Sequence, residues 1–238
     1  MLGSLNTYLT RVLGPVFVAL VVAACGGGSS NGSEPAQLVA VDAEGSTSID
    51  ATVLAATLAS LPLEPLSTAE ADGVVFMREE EKLARDVYMT LFERWGQRVF
   101  DNISRAEQIH MDAVAVIIER YGLTDPVGSN GVGVFTNPTL QGLYDTLVSQ
   151  GEASRIDALI VGATIEEIDI VDLQNQLDSV VDNQDIALVY GDLMKGSRNH
   201  LRAFVRNLEK LGMSYTPQYL PQDEYDAIIG SPMETGPA

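Results

Sequence analysis

Apolar residues recur every three or four positions along nearly the whole chain from about Ala51 onward, and no strand-like alternation of useful length interrupts them. That period predicts an all-helical fold. The first long helix is announced by Ser67-Thr68-Ala69-Glu70, a capping-box pattern, and should run to about Trp95 with Gly96 as its stop. A second covers roughly Val99 to Tyr121 and is closed by Gly122. The glycine-rich stretch TDPVGSNGVGVFTNP follows, and Asn137-Pro138 opens a shorter helix ending near Gln150-Gly151. A third long helix spans about Ala153 to Leu177. DNQD then caps a fourth, from about Asn183 to Leu211, which Gly212 ends. A short last helix is expected over Asp223 to Ile229, and an extra N-terminal one over Ala51 to Leu61.

The connections suggest a topology. Tight turns join the first long helix to the second and the third to the fourth, so each pair should form an antiparallel hairpin. About thirty residues separate Tyr121 from Ala153. A helix of ~20 residues is ~30 Å long, a distance this connection can cross. Two hairpins linked by one long crossover are the ferritin-like form of the four-helix bundle, here with a short C-terminal helix added.

The N-terminus departs from this pattern. A polar start containing Arg11 leads into an apolar run from Val12 to Val22, too short to span a bilayer comfortably and laid out like a secretory signal. It ends in Val22-Ala23-Ala24-Cys25, which resembles a bacterial lipobox, so residues 1–24 are expected to be removed and Cys25 lipidated. Cys25 is the only cysteine, which excludes an intrachain disulfide. GGGSSNGSEPA then reads as the start of a flexible tether over residues 25–50, leaving 51–238 as the helical domain. These features place the protein outside the cytoplasm, in a bacterial cell envelope, touching membrane only through its lipid. Gly26 lacks the aspartate associated with inner-membrane retention, which favours an outer location in a host with two membranes.

Charge narrows the partners. The net charge is −19, and cutting off residues 1–24 removes Arg11 alone, leaving −20. Such a surface opposes nucleic acid and anionic lipid. It suits plain solubility or attraction of cations.

Helical wheels locate the candidate chemistry. On the second long helix, Ile103, Val114, Ile117 and Tyr121 define the inner face, and Glu107 and His110 fall within it, three apart and therefore adjacent. On the first, Phe76, Leu83, Val87 and Leu91 define the face with Glu80 at its centre, flanked by Glu79 and Glu81. The third carries Glu166 centrally, with Asp169 nearby and Glu167 beside it. The fourth places His200, the second of only two histidines, at the centre of its own apolar stripe. Buried unpaired carboxylates are costly, and three facing one another repel. One or two divalent ions resolve both difficulties, and oxygen and imidazole donors suit iron, manganese or zinc.

Plainer readings stand beside this one. Glu107 and His110 could be a hydrogen-bonded pair that fixes helix register, and Ser197 to His200 (SRNH) a polar network with Asn199 or Asp169. Arg78 to Lys82 (REEEK) is by default a solvated helix face in which only Glu80 turns inward. Tyr88 and Tyr121 read as core residues. Gly162 and Gly196 fit close helix approach or room for a small ligand. Arg198, Arg202 and Arg206 form a basic stripe suited to pairing with acidic groups of the protein itself.

The Glu-x-x-His at Glu107 and His110, with single glutamates on neighbouring helices, resembles the ferritin-like di-iron carboxylate superfamily. More closely, MREEEKLARDVY, AEQIHMDAV, GATIEEIDIVDLQ, GSRNHLRAFVRNLE and YTPQYLPQDEYDAII resemble a bacterial ferritin-like family catalogued as a domain of unknown function, over about Leu61 to Ile229. The resemblance implies a four-helix bundle with a metal centre of Glu80, Glu107, His110, Glu166 and His200, Glu107 bridging. The superfamily repeats Glu-x-x-His on the fourth helix, whereas Ser197 precedes His200 by three here; Asp169, one turn from Glu166, is the candidate replacement. If two irons bind, the resemblance implies chemistry with dioxygen or peroxide, although no electron source is visible. Metal capture without turnover, and a helical interaction module with a purely structural polar core, are the other two readings. A hydrolase is disfavoured: no Gly-x-Ser-x-Gly elbow or phosphate-binding glycine loop is present.

Overall fold

The structure is a computed structural model that describes residues 39–41, 47–49 and 51–235. The expected signal peptide, the lipidation site Cys25 and most of the tether lie outside the described residues. Within the stretch read as tether, β1 (Val39–Val41) and β2 (Thr47–Ile49) pair antiparallel, with Val39 opposite Ile49 and Val41 opposite Thr47. The β-branched residues at these four positions favour pairing, and three-residue runs are too short to register as a period.

Seven helices follow. They are α1 (Ala51–Ser60), α2 (Thr68–Trp95), α3 (Arg98–Tyr121), α4 (Pro138–Gly151), α5 (Arg155–Ser179), α6 (Gln184–Lys210) and α7 (Gln222–Gly230). At the starts of α2, α4 and α5 a side chain satisfies free backbone groups. Ser67 accepts from the Glu70 amide while the Glu70 carboxylate accepts from the Ser67 amide, closing the box. Asn137 caps α4 ahead of Pro138, and Ser154 caps α5. Gly96 and Gly122 end α2 and α3 in the left-handed conformation that glycine adopts without steric cost.

Helix α2 packs along α3 and α5, and α6 packs along α5 and α3, so the four long helices close a ring. The connection between the two hairpins carries α4, which lies against α2 and α5, while α7 lies on α6. No helix among the described residues is long and apolar enough to cross a membrane.

The interior divides along the helix axes. One apolar cluster is built from Leu83, Val87, Tyr88, Leu91, Phe100, Ile103, Leu159, Leu201 and Phe204, with Leu140 and Leu147 of α4. The other contains Leu54, Leu58, Val74, Met77, Val114, Ile117, Leu173, Ile186, Val189 and Leu193. Each long helix passes from one cluster to the other, and the stretches 78–82 on α2, 104–112 on α3, 166–169 on α5 and 195–200 on α6 belong to neither. A polar layer therefore lies between two apolar ones.

Candidate metal centre

Five side chains of that layer converge, and all are buried: Glu81 of α2, Glu107 and His110 of α3, Glu166 of α5 and His200 of α6. The two oxygens of Glu107 serve different histidines. Oε2 lies 2.7 Å from His110 Nδ1, and Oε1 lies 2.9 Å from His200 Nδ1. Glu81 Oε2 approaches His110 Nδ1 at 3.3 Å from one side, and Glu166 Oε2 approaches His200 Nδ1 at 3.5 Å from the other. The imidazole rings stack with centroids 5.5 Å apart. Two three-residue donor groups result, Glu81/Glu107/His110 and Glu107/Glu166/His200, each with its ligand atoms within 4.8 Å of one another and both sharing Glu107.

Four of the expected ligands meet: Glu107, His110, Glu166 and His200 do, and Glu80 does not. Glu80 turns from the cluster toward Asp169 and Asp172 of α5, while Glu81 supplies the α2 carboxylate. The reason is the register of α2. Its central stripe is Val74, Met77, Glu81, Ala84, Tyr88 and Leu91, spaced alternately three and four, and Glu81 occupies a position in it. A wheel centred on Phe76 and Leu83 is displaced from this stripe because Phe76 is only partly buried. Spacing alone does not choose between the two stripes, since Phe76, Glu80, Leu83 and Val87 alternate in the same way; the fuller burial of Val74, Met77 and Tyr88 does.

Asp169 stands apart from both donor groups. It accepts a hydrogen bond from Ser197, which stands three residues before His200 on α6. Serine and aspartate thus fill that corner with a neutral donor and an acceptor.

Nor is REEEK a solvated face: Arg78, Glu79, Glu80, Glu81 and Lys82 are all buried. Arg78 binds Asp125 and the Met111 carbonyl. Glu79 accepts from the Thr136 and Asn137 amides at the start of α4, where helix polarity favours an anion. Lys82, 0% exposed, pairs with Asp86, donates to the Gly131 carbonyl at 2.7 Å and faces the Phe135 ring. These three side chains fasten the crossover to α2, and a wheel of α2 alone cannot see a segment 47 to 58 residues away. Glu167 does the same for the C-terminal segment, accepting from the amides of Gln218, Tyr219 and Leu220.

Tyr88 is core, as expected, but its hydroxyl also donates to Glu166 Oε1 at 2.5 Å, which fixes the carboxylate's orientation. Its ring packs against Phe100 and Phe204. Gly162 serves close approach: a Cβ there would lie 2.4 Å from the Phe204 ring. Asn199 and Arg202 bind the Glu234 region, and Arg198 pairs with Glu234, so His200 shares no network with Asn199.

Burial and mutual repulsion set the protonation of the layer. Burial, reinforced by the Glu107 charge against the pull of His110, raises the Glu81 carboxyl to about 7. Burial and Glu107 likewise raise Glu166 to about 7, against His200 and Tyr88. Burial also works against the charge on Glu107, but His200 and His110 outweigh it and hold that carboxyl below the ordinary range. For His200 burial opposes the proton, yet Glu107 and Glu166 raise it to about 10. His110 is raised well above its usual value in the same way, by Glu107 and Glu81. Without a cation the centre holds protons in its place.

The donor set fits divalent metal better than it fits hydrogen bonding alone. His110 Nε2, both ring nitrogens of His200 and Glu81 Oε1 are buried without an aligned hydrogen-bond partner. His200 Nδ1 is 2.9 Å from a carboxylate oxygen and still makes no aligned hydrogen bond with it. Leaving a buried polar atom unsatisfied costs about 1–3 kcal/mol, which an ion would offset.

The chain is similar to Uncharacterized protein MJ0754 of Methanocaldococcus jannaschii, with 52% identity over 179 residues, covering 75% of this chain and 96% of the relative. A crystal structure of that hypothetical protein superposes with a TM-score of 0.72, covering 74% of this chain and 99% of the other at 53% identity. The likeness therefore reaches an archaeal protein and is not confined to bacteria. The family described as Uncharacterized protein domain (DUF2202) matches residues 70–232, the span that holds every ligand candidate. By that match and the closeness of the archaeal relative, the chain belongs to the DUF2202 family.

Proposed function

We propose that this protein is a ferritin-like four-helix-bundle metalloprotein that binds two divalent transition-metal ions, iron or manganese, with zinc as the third candidate. Glu81, Glu107 and His110 would hold one ion, and Glu107, Glu166 and His200 the other. A single observation carries the reading: the two oxygens of one buried carboxylate face the Nδ1 atoms of two different histidines, and a second carboxylate approaches each of those same nitrogens. Three carboxylates and two imidazoles suit these metals, whereas thiolate-preferring ions find no thiolate in either donor group.

If the ions are iron or manganese, such a pair would supply redox chemistry toward dioxygen or peroxide; zinc would not. The chain's own residues orient and insulate it. Tyr88 holds Glu166 by its hydroxyl, Ser197 holds Asp169, and the two apolar clusters keep bulk water from both ends. We read the N-terminus as a lipid anchor at Cys25, which would hold the metal-binding domain at the outer face of a bacterial membrane. Capture of metal without turnover is the second reading, favoured by the net charge of −19.

Elemental mass spectrometry on the full chain purified without chelator, beside Glu107→Gln, tests the proposal. The expectation is about two ions per wild-type chain, most of them missing from a folded variant. A folded wild type that holds none and takes up no added iron, manganese or zinc would overturn it.

A further inference from the structure

On α5, Glu166, Asp169 and Asp172 are spaced three apart and so lie along one side of the helix, with Glu80 of α2 facing them. The series is graded in exposure. Asp172 is half-buried and reaches the surface, Glu80 and Asp169 are about 5% and 6% exposed, and Glu166 lies in the centre itself. Neighbouring steps lie within electrostatic reach: Asp172 and Asp169 both act on Glu80, and Glu80 and Asp169 line one crevice. Asp169 in turn senses Glu81, Glu107 and Glu166.

Two observations indicate that the series serves a ligand. Glu80 Oε2 and Asp169 Oδ1 are buried polar atoms with no hydrogen-bond partner. The same two residues line a small crevice between α2 and α5, walled otherwise by Leu83, Ala84, Leu143, Ile165 and Ile168. Carboxylate oxygens left unpaired in an apolar-walled crevice next to a carboxylate-histidine cluster offer transient coordination to a cation and little to anything else.

The geometry points to a carboxylate ladder, Asp172 to Glu80 to Asp169, by which divalent cations pass from the surface between α2 and α5 to the Glu107 centre. The inference rests on the metal-binding reading above and adds the route. It also accounts for Glu80 and Asp169, two acidic side chains that the centre itself does not use. Oxygen donors placed at steps of about one helical turn allow an ion to exchange partners without crossing bare hydrocarbon. Ser197, by holding Asp169 Oδ2, leaves Oδ1 as the free step.

Cobalt(II) is the probe, because its visible absorption reports uptake directly. Stopped-flow filling of the metal-free full chain is compared among wild type, Asp172→Asn and Asp178→Asn, the last an exposed acidic position on the same helix outside the ladder. The ladder requires Asp172→Asn to fill about tenfold more slowly, the low end of what electrostatic guidance contributes to association rates. Final stoichiometry should be unchanged and Asp178→Asn should fill like wild type. Glu80→Gln should also slow filling while keeping stoichiometry. Equal filling rates for Asp172→Asn and Asp178→Asn, with full cobalt in both, would overturn the ladder and leave the metal centre standing. A folded wild type that takes up no cobalt would overturn the metal centre and the ladder together.

Discussion

Raising pH should destabilise the metal-free protein and tighten its hold on metal. Glu81 and Glu166, both within a few per cent of full burial, have carboxyls raised from an ordinary 4.5 to about 7. A raised native value means that the group contributes stability when protonated, and this is lost as pH climbs from 4.5 through 7. One such carboxyl is worth about 3 kcal/mol. The two share Glu107 as a neighbour, so one carboxyl sets a safe lower bound. His200, raised from 6.5 to about 10, acts in the same direction, with stability present below 6.5 and lost as pH rises through about 10. Glu107 has the opposite sign, but its contribution is already complete above its ordinary value of 4.5.

Between pH 5.5 and 8 one such carboxyl loses about 2 kcal/mol of that contribution, so the melting temperature of chelator-treated protein should fall by at least about 4–8 °C, at ~2–4 °C per kcal/mol for a domain of this size. Circular dichroism melts in 0.5 M salt suit the measurement, because salt screens surface repulsion and leaves buried pairs largely unscreened. With saturating manganese the fall should shrink or reverse, since ions displace the protons that pH would otherwise remove. A metal-free melting temperature that is flat or rises over this range, or a manganese stabilisation equal at both pH values, would refute the reasoning.

Three substitutions test the surrounding structure. Gly162→Ala places a methyl against the Phe204 ring and should cost about 1–3 kcal/mol in urea unfolding. Asp86→Ala leaves the fully buried Lys82 without its carboxylate and should cost about 3–5 kcal/mol, with faster amide exchange at residues 131–136. Tyr88→Phe removes the hydroxyl that orients Glu166 and should weaken metal retention in a chelator competition about 10–100-fold while the protein stays folded.

Helices α2 to α7 were legible in the sequence because their signals are local. Capping residues, terminal glycines and apolar spacing act within a few positions, as at Ser67, Gly96 and Asn137. Glu107, His110, Glu166 and His200 were legible for a related reason: a polar residue inside an apolar stripe is visible on a wheel. Glu81 was not separated from Glu80 because adjacent residues differ by only about 100° around the axis, less than the width of a typical buried stripe. Glu79, Lys82 and Glu167 were illegible, because their partners Thr136, Gly131 and Gln218 lie on segments far along the chain. The wheel therefore finds the centre of the layer and misses the charges that fasten the segments around it.

The most direct test of the central claim is anomalous X-ray diffraction at the manganese edge from crystals of the manganese-loaded protein. The account expects two peaks sharing Glu107, one enclosed by Glu81 and His110 and the other by Glu166 and His200. Peaks elsewhere, or none at an occupancy that elemental analysis shows to be saturating, would contradict it.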